Sequence, residues 1–135
     1  MDKTIEQKLK NESLNWLIIG AVSGALVVGI GAFRAHGLKY LLTENGKLAT
    51  FETAVDYHVF HTLAILLTAI IQINLDVSLK TSLIAFLIGI IIFSGSLYVL
   101  SITNIGWLGA ITPFGGVGFI VGWALLALKL YREKL

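Results

Sequence analysis

TSLIAFLIGIIIFSGSLYVLSITNIGWLGAITPFGGVGFIVGWALLAL, residues 81–128, contains no Asp, Glu, Lys or Arg. About 20 apolar residues cross the roughly 30 Å hydrocarbon core of a bilayer, so this uncharged run is long enough for two spans. The break falls at Asn104-Ile105-Gly106, with Trp107 suited to the membrane interface. The third span is therefore read over residues 81–100 and the fourth over 112–130. Thr112 is expected to cap the fourth, with Pro113 at the first helical position, where no amide donor is needed.

Composition extends this reading to the whole chain. Of 135 residues, 56% are hydrophobic and 13% charged, and the mean hydropathy is +0.86, too apolar for an ordinary soluble domain. The net charge of +2 does not mark a nucleic-acid partner, because Lys and Arg sit at the chain ends and in loops, where membrane topology accounts for them. Cysteine is absent, which removes disulfides, thiolate metal sites and Cys nucleophiles.

Upstream, the first span is read over residues 14–33, with Trp16 at the interface and no signal-peptide exit. The polar residues before it are read as a short interfacial helix, carried by Ile5 and Leu9, or as a frayed end. Gly37 is expected to stop the first span in a left-handed conformation. A short interfacial helix then follows around Leu38, Tyr40, Leu41 and Leu42, closed by a turn at Asn45-Gly46. The second span covers residues 51–73. The expected fold is all-α: one integral membrane four-helix bundle over residues 1–135, with a short interfacial helix between spans one and two.

Small residues recur at helical spacing. Gly20 and Gly24, Ala25 and Gly29, Ala85 and Gly89, and Gly118 and Gly122 each place two small side chains four apart, which lets a neighbouring helix approach closely. So many pairs exceed what one thin bundle obviously needs, and some are expected to serve a homo-oligomer.

The second span, FETAVDYHVFHTLAILLTAIIQI, residues 51–73, opens with Glu52, Asp56, His58 and His61. A charged group at the bilayer centre costs about 2.5 kcal/mol or more, so these groups ask for a role. Four spans bring the loops after spans one and three to one membrane face. Arg34, His36, Glu52, Asp56, His58, His61, Ser94, Ser96, Tyr98 and Thr112 then share one polar half, opposite a half that reads as nearly all Leu, Ile, Val and Ala. Arg34 is expected to pair with Glu52 or Asp56. His61, the deepest, is expected to be neutral and to donate to another helix, at Tyr98 or the segment 112–116. Lys3, Lys8, Lys10, Lys80, Lys129, Arg132 and Lys134 lie on the face of the termini, against Arg34, Lys39 and Lys47, so both termini are expected in the cytoplasm.

Four ordered motifs are familiar together: Gly31-Ala32-Phe33-x-Ala35-His36-Gly37-Leu38; Phe51-x-Thr53-Ala54-x-x-Tyr57-x-x-x-His61-x-Leu63-Ala64; Gly95-Ser96-Leu97-Tyr98; and Thr112-Pro113-x-Gly115-Gly116 with Gly122-Trp123. They resemble the family catalogued as domain of unknown function 423, small multi-pass membrane proteins, mostly bacterial. The resemblance runs from the first span onward. It implies a four-span membrane protein and brings no established activity. The family pattern usually holds a small residue at the place of Arg34 and Gln at that of His58.

The function expected from these residues is a non-enzymatic membrane protein whose polar end is a structural site or binds a small molecule or lipid. The alternatives are a proton-coupled or ion-conducting carrier, for which His and Asp are suitable relay groups, and a metal site at His58 and His61 with Asp56 or Glu52. No nucleophile elbow or phosphate-binding loop is present, and no cofactor is expected.

Overall fold

The computed structural model describes residues 3–134, so Met1, Asp2 and Leu135 lie outside the described residues. Helices account for nearly all of it, with no strand among the described residues and four helical stretches long and apolar enough to cross a membrane. Helix α1 (Lys3–Phe33) runs on through a π-helical turn (Arg34–Leu38) into the short α2 (Lys39–Glu44). The polar residues from Lys3 to Ser13 are the first turns of α1, neither frayed nor a separate helix. They are held by two contacts: the fully buried Ser13 accepts from Gln72 Nε2 at 2.9 Å, and Glu12 pairs with Lys80 at 3.6 Å. The longer helix also moves Trp16 from the expected interface into the core, where it is 7% exposed.

Gly37 is not a left-handed stop. It lies inside the π-helical turn, and Gly46, at φ 63°, is the positive-φ glycine among the described residues. The chain shifts to wider hydrogen-bond spacing at Arg34 instead of ending, so no reversal is needed there. The reversal comes after α2. Lys47 N–H bonds Leu42 O at 2.8 Å and Gly46 N–H bonds Thr43 O at 3.0 Å, the paired closure of a Schellman motif. Asn45 Nδ2 then ties this turn to the carbonyls of Ser101, at 3.0 Å, and Ile102, at 3.2 Å.

Helix α3 (Leu48–Leu75) is the central element, and Asp76, left-handed at φ 53°, ends it. In its most apolar stretch 44% of the residues are buried, against 22% for the stretch containing α1. The third span is interrupted: α4 (Lys80–Gly89) passes through a second π-helical turn (Ile90–Ser94) into α5 (Gly95–Thr103). Left-handed Asn104 and a 3₁₀ turn (Gly106–Ala110) lead to α6 (Thr112–Lys134). Thr112 does not cap α6 with its side chain. Its hydroxyl lies 2.8 Å from Ser96 Oγ and 3.4 Å from Leu108 O, so the α5 contact takes the group expected to serve the amides.

Helices α3 and α4–α5 form the middle of the bundle, with α1 against α3 and α6 against α4 and the second π-helical turn. Small residues make both outer contacts close. A Cβ on Gly20 would collide with Leu66, one on Gly89 with the Phe119 ring, and one on Gly122 with the Phe86 ring. Gly118 lies against the Gly89 backbone at 3.4 Å, whereas Gly24 leaves ordinary room, 3.8 Å from Thr62. Ile65, Ala69, Leu83, Phe86 and Phe119 fill the space between.

Candidate functional site

The polar half is a set of separate arrangements, not one cluster. At its edge Arg34 Nη2 donates to Glu52 Oε1, and both side chains remain more than a third exposed. Asp56, one turn on, has no partner among the described residues, so of the two acids expected for Arg34 it is Glu52 that takes it. His36 joins neither: it is exposed, in a shallow recess with Ala32, Phe33 and Gly37.

His58 is the centre of a buried set that joins three helices. Its Nε2 lies 3.0 Å from Ser23 Oγ on α1 and its Nδ1 lies 3.1 Å from Tyr98 OH on α5, while Ser23 Oγ is 2.6 Å from Thr62 Oγ1. Both partners of His58 are hydroxyls, which can rotate to donate or accept, so either neutral tautomer is satisfied. Ser23 and Thr62 carry no mark in the sequence. Each is a single hydroxyl in an apolar run, and its meaning depends on the neighbour that packing brings to it.

His61, three residues on, faces the other way. Its Nδ1 lies 2.9 Å from Tyr57 O, which can only accept, so the proton is on Nδ1. Its Nε2 accepts from Trp123 Nε1 at 3.2 Å. The ring stacks on Phe119, centroids 3.4 Å apart and planes 8° from parallel. A neutral ring is as expected, but its partners are its own helix and Trp123, in place of Tyr98 or the segment 112–116. Their positions on the helix turn His58 and His61 into different surroundings, and among the described residues no three His, Cys, Asp or Glu side chains come together around a metal-sized site.

His61 forms part of the wall of an open groove of about 610 Å³ between α3 and α6. Tyr57, Phe60, Phe93, Phe119 and Trp123 supply rings, Gly116 and Ile120 complete the α6 side, and Asp56 stands on the α3 side. Two backbone devices shape it. The second π-helical turn carries Phe93, 4.5 Å from the Tyr57 ring, and Gly115 lets α6 lie directly on the Phe93 backbone. Ser96, bonded to Thr112 and to Phe93 O at 3.0 Å, fastens the same junction. Ser94, in that turn, is buried, and its hydroxyl has no partner among the described residues.

The half read as apolar is not wholly so. Gln72 is fully buried, donates to Ser13 and accepts the Leu79 amide at 2.6 Å. It therefore ties α1, α3 and the start of α4 at the end opposite the groove.

Comparison with known proteins agrees with a membrane bundle of this kind. Residues 30–116 match the family described as "Protein of unknown function (DUF423)". The "UPF0382 membrane protein YwdK" of Bacillus subtilis is 42% identical over 119 residues, covering 87% of this chain and 96% of that protein. A "UPF0382 membrane protein" of Haemophilus influenzae is 39% identical over 119 residues, covering 88% and 95%. The "UPF0382 inner membrane protein YgdD" of Escherichia coli is 37% identical over 119 residues, covering 87% and 90%. No solved structure matches. With more than half of its length inside the family match and near-full-length relatives at this identity, the chain belongs to the DUF423 family of membrane proteins of unknown function.

Proposed function

We propose that this is a non-enzymatic membrane protein that holds a small apolar molecule, taken from the bilayer, in the groove between α3 and α6. The observation that carries the reading is the groove itself: about 610 Å³, walled by aromatic rings, with the unpartnered Asp56 on one side. Ligand pockets are concave, mostly apolar, and carry a few polar groups that set orientation. An apolar body would lie on Tyr57, Phe119 and Trp123, and Asp56 would take a cationic or hydrogen-donating end, with the ring faces adding cation–π attraction.

Trp123 offers a direct test. With Trp16 and Trp107 replaced by Phe, its emission reports the groove, and a brominated long-chain alkylamine should quench it saturably. Gly116→Leu, which fills the groove, should abolish the saturable part. Quenching that rises linearly with added amine, equally in the filled variant, would sink the proposal.

The cell membrane, with both termini in the cytoplasm, is the proposed location and orientation, supported by seven Lys and Arg on that face against three. Cysteines introduced at Lys3 and Lys134 should then resist an impermeant thiol reagent in intact cells; labelling of both would reverse the orientation. A second copy of the chain is the proposed partner, seated on the part of α1 that this bundle leaves open.

A further inference from the structure

We infer that the end of the bundle opposite the groove carries a phosphate-binding site, between the start of α4 and the end of α6, that takes the headgroup of an anionic phospholipid. A cavity of about 180 Å³ lies there, lined by Ser78, Thr81, Ser82, Lys129 and Arg132, with Leu125 and Leu128 on its α6 side. It is independent of the groove, with which it shares no residue.

Three features converge on it. The first is an uncapped helix start. Leu79 occupies the N-cap position with no side-chain bond, and its carbonyl takes the amides of Ser82, at 3.0 Å, and Leu83, at 3.2 Å. The amides of Lys80 and Thr81 precede any acceptor of the helix, and the aligned peptide dipoles leave positive potential at this end. Gln72 fixes the turn by taking the Leu79 amide at 2.6 Å, so the helix start is held in place and not frayed.

The second is Ser82, 1% exposed, which lines the cavity with a hydroxyl that has no hydrogen-bond partner among the described residues. The hydroxyl opens on the cavity, so an acceptor seated there gives it the partner that the surrounding side chains do not. The third is charge. Arg132 forms no ion pair among the described residues, and Lys129, 3.5 Å from Glu133, keeps further donors free. Lys80 is committed to Glu12 and is not needed.

Basic residues at span ends follow from membrane topology alone. Topology does not account for a buried unpartnered hydroxyl and an uncapped helix start on the same small cavity. The α3–α4 turn and the end of α6 lie at the same end of the bundle, where the apolar spans give way to Lys and Arg, and Leu125 and Leu128 lead from the cavity along the apolar span, as an acyl chain would. A phospholipid therefore fits better than a soluble phosphate ion, although both offer the same oxygens.

The test is thermal unfolding of the full chain in nanodiscs of phosphatidylcholine, of phosphatidylcholine with phosphatidylglycerol, and of phosphatidylcholine with inorganic phosphate in the buffer. Phosphatidylglycerol should raise the Tm by about 5 °C, and inorganic phosphate by much less. Arg132→Gln and Ser82→Ala should lose most of that rise, while Lys8→Gln, which removes a charge from the same face away from the cavity, should keep it. Ser82→Ala carries a signature that a merely damaged fold does not: in phosphatidylcholine alone its Tm should equal or exceed that of the parent, because an unpartnered hydroxyl has been removed. An equal rise with inorganic phosphate, lost in the same variants, would uphold the phosphate site and assign it to the soluble ion. A phosphatidylglycerol effect unchanged in both variants, or no effect of either phosphate, would overturn the inference.

Discussion

Arg34 and Glu52 show how far a single pairing can be argued. Both side chains are more than a third exposed, so their attraction is screened and contributes on the order of 0.5–1 kcal/mol. A double-mutant cycle with Arg34→Gln and Glu52→Gln should give a coupling energy of that size, with the double variant no less stable than Arg34→Gln alone. Coupling well above about 2 kcal/mol would mean that the pair is effectively withdrawn from water. That these two meet is legible from topology, since the end of span one and the start of span two share a membrane face. The partners of the histidines are not. Helical phase separates His58 from His61, but which hydroxyls and which indole reach them depends on the rotation of α1, α5 and α6 about their axes. Sequence spacing within one helix carries no information on that. Trp123 illustrates the limit, since in the sequence it only follows Gly122 in span four with nothing to mark a partner, and in the structure its indole donates to a buried ring nitrogen.

At the scale of elements, long apolar runs locate four helices able to cross a membrane, because the cost of charge in hydrocarbon leaves little choice. The two π-helical turns leave no such mark. The first falls on Arg34–Leu38, where the sequence reads as the end of a span, and the second inserts wider hydrogen-bond spacing into a run whose composition is unchanged, so that Ile90–Ser94 reads like any other membrane helix. Its consequence is local and strong. The turn presents the Phe93 backbone to α6, and Gly115 is the residue that lets α6 reach it. Gly115→Ala should therefore destabilise by about 1–3 kcal/mol, the range for forcing extra volume into a packed contact, and should disturb the groove that Phe93 helps to wall. Gly95→Ala, with nothing within 4 Å of the added Cβ, should be neutral or slightly stabilising. Urea or thermal unfolding in detergent compares the two. Equal effects would mean that α6 can shift away from Phe93 at little cost.

At the scale of the whole molecule, the small residues divide into those already used and those left open. Gly20, Gly89, Gly118 and Gly122 are occupied inside one copy of the chain, by Leu66, Phe119, the α4 backbone and Phe86. They are therefore already engaged, and a homo-oligomer, expected of some of these small pairs, would use others. Gly29 remains, with nothing within 4 Å of where a Cβ would stand, and Ala25 one turn before it is exposed on the same face of α1. In a bilayer, small side chains four apart allow a second helix to come close enough for backbone contacts and dense packing, which no lipid chain matches. A symmetric dimer built on α1 would place the same patch against itself. Crosslinking of a cysteine at Ala25 in native membranes should therefore give a dimer, and Gly29→Leu should abolish it while leaving the Tm of the isolated chain in detergent nearly unchanged, because no intramolecular contact is touched. Gly20→Leu, on the α3 side, should instead lower the Tm, since even a Cβ there would collide with Leu66. A dimer that survives Gly29→Leu would exclude this face, and a chain that stays monomeric over a wide range of protein-to-lipid ratios would leave Ala25 and Gly29 as ordinary lipid-facing residues.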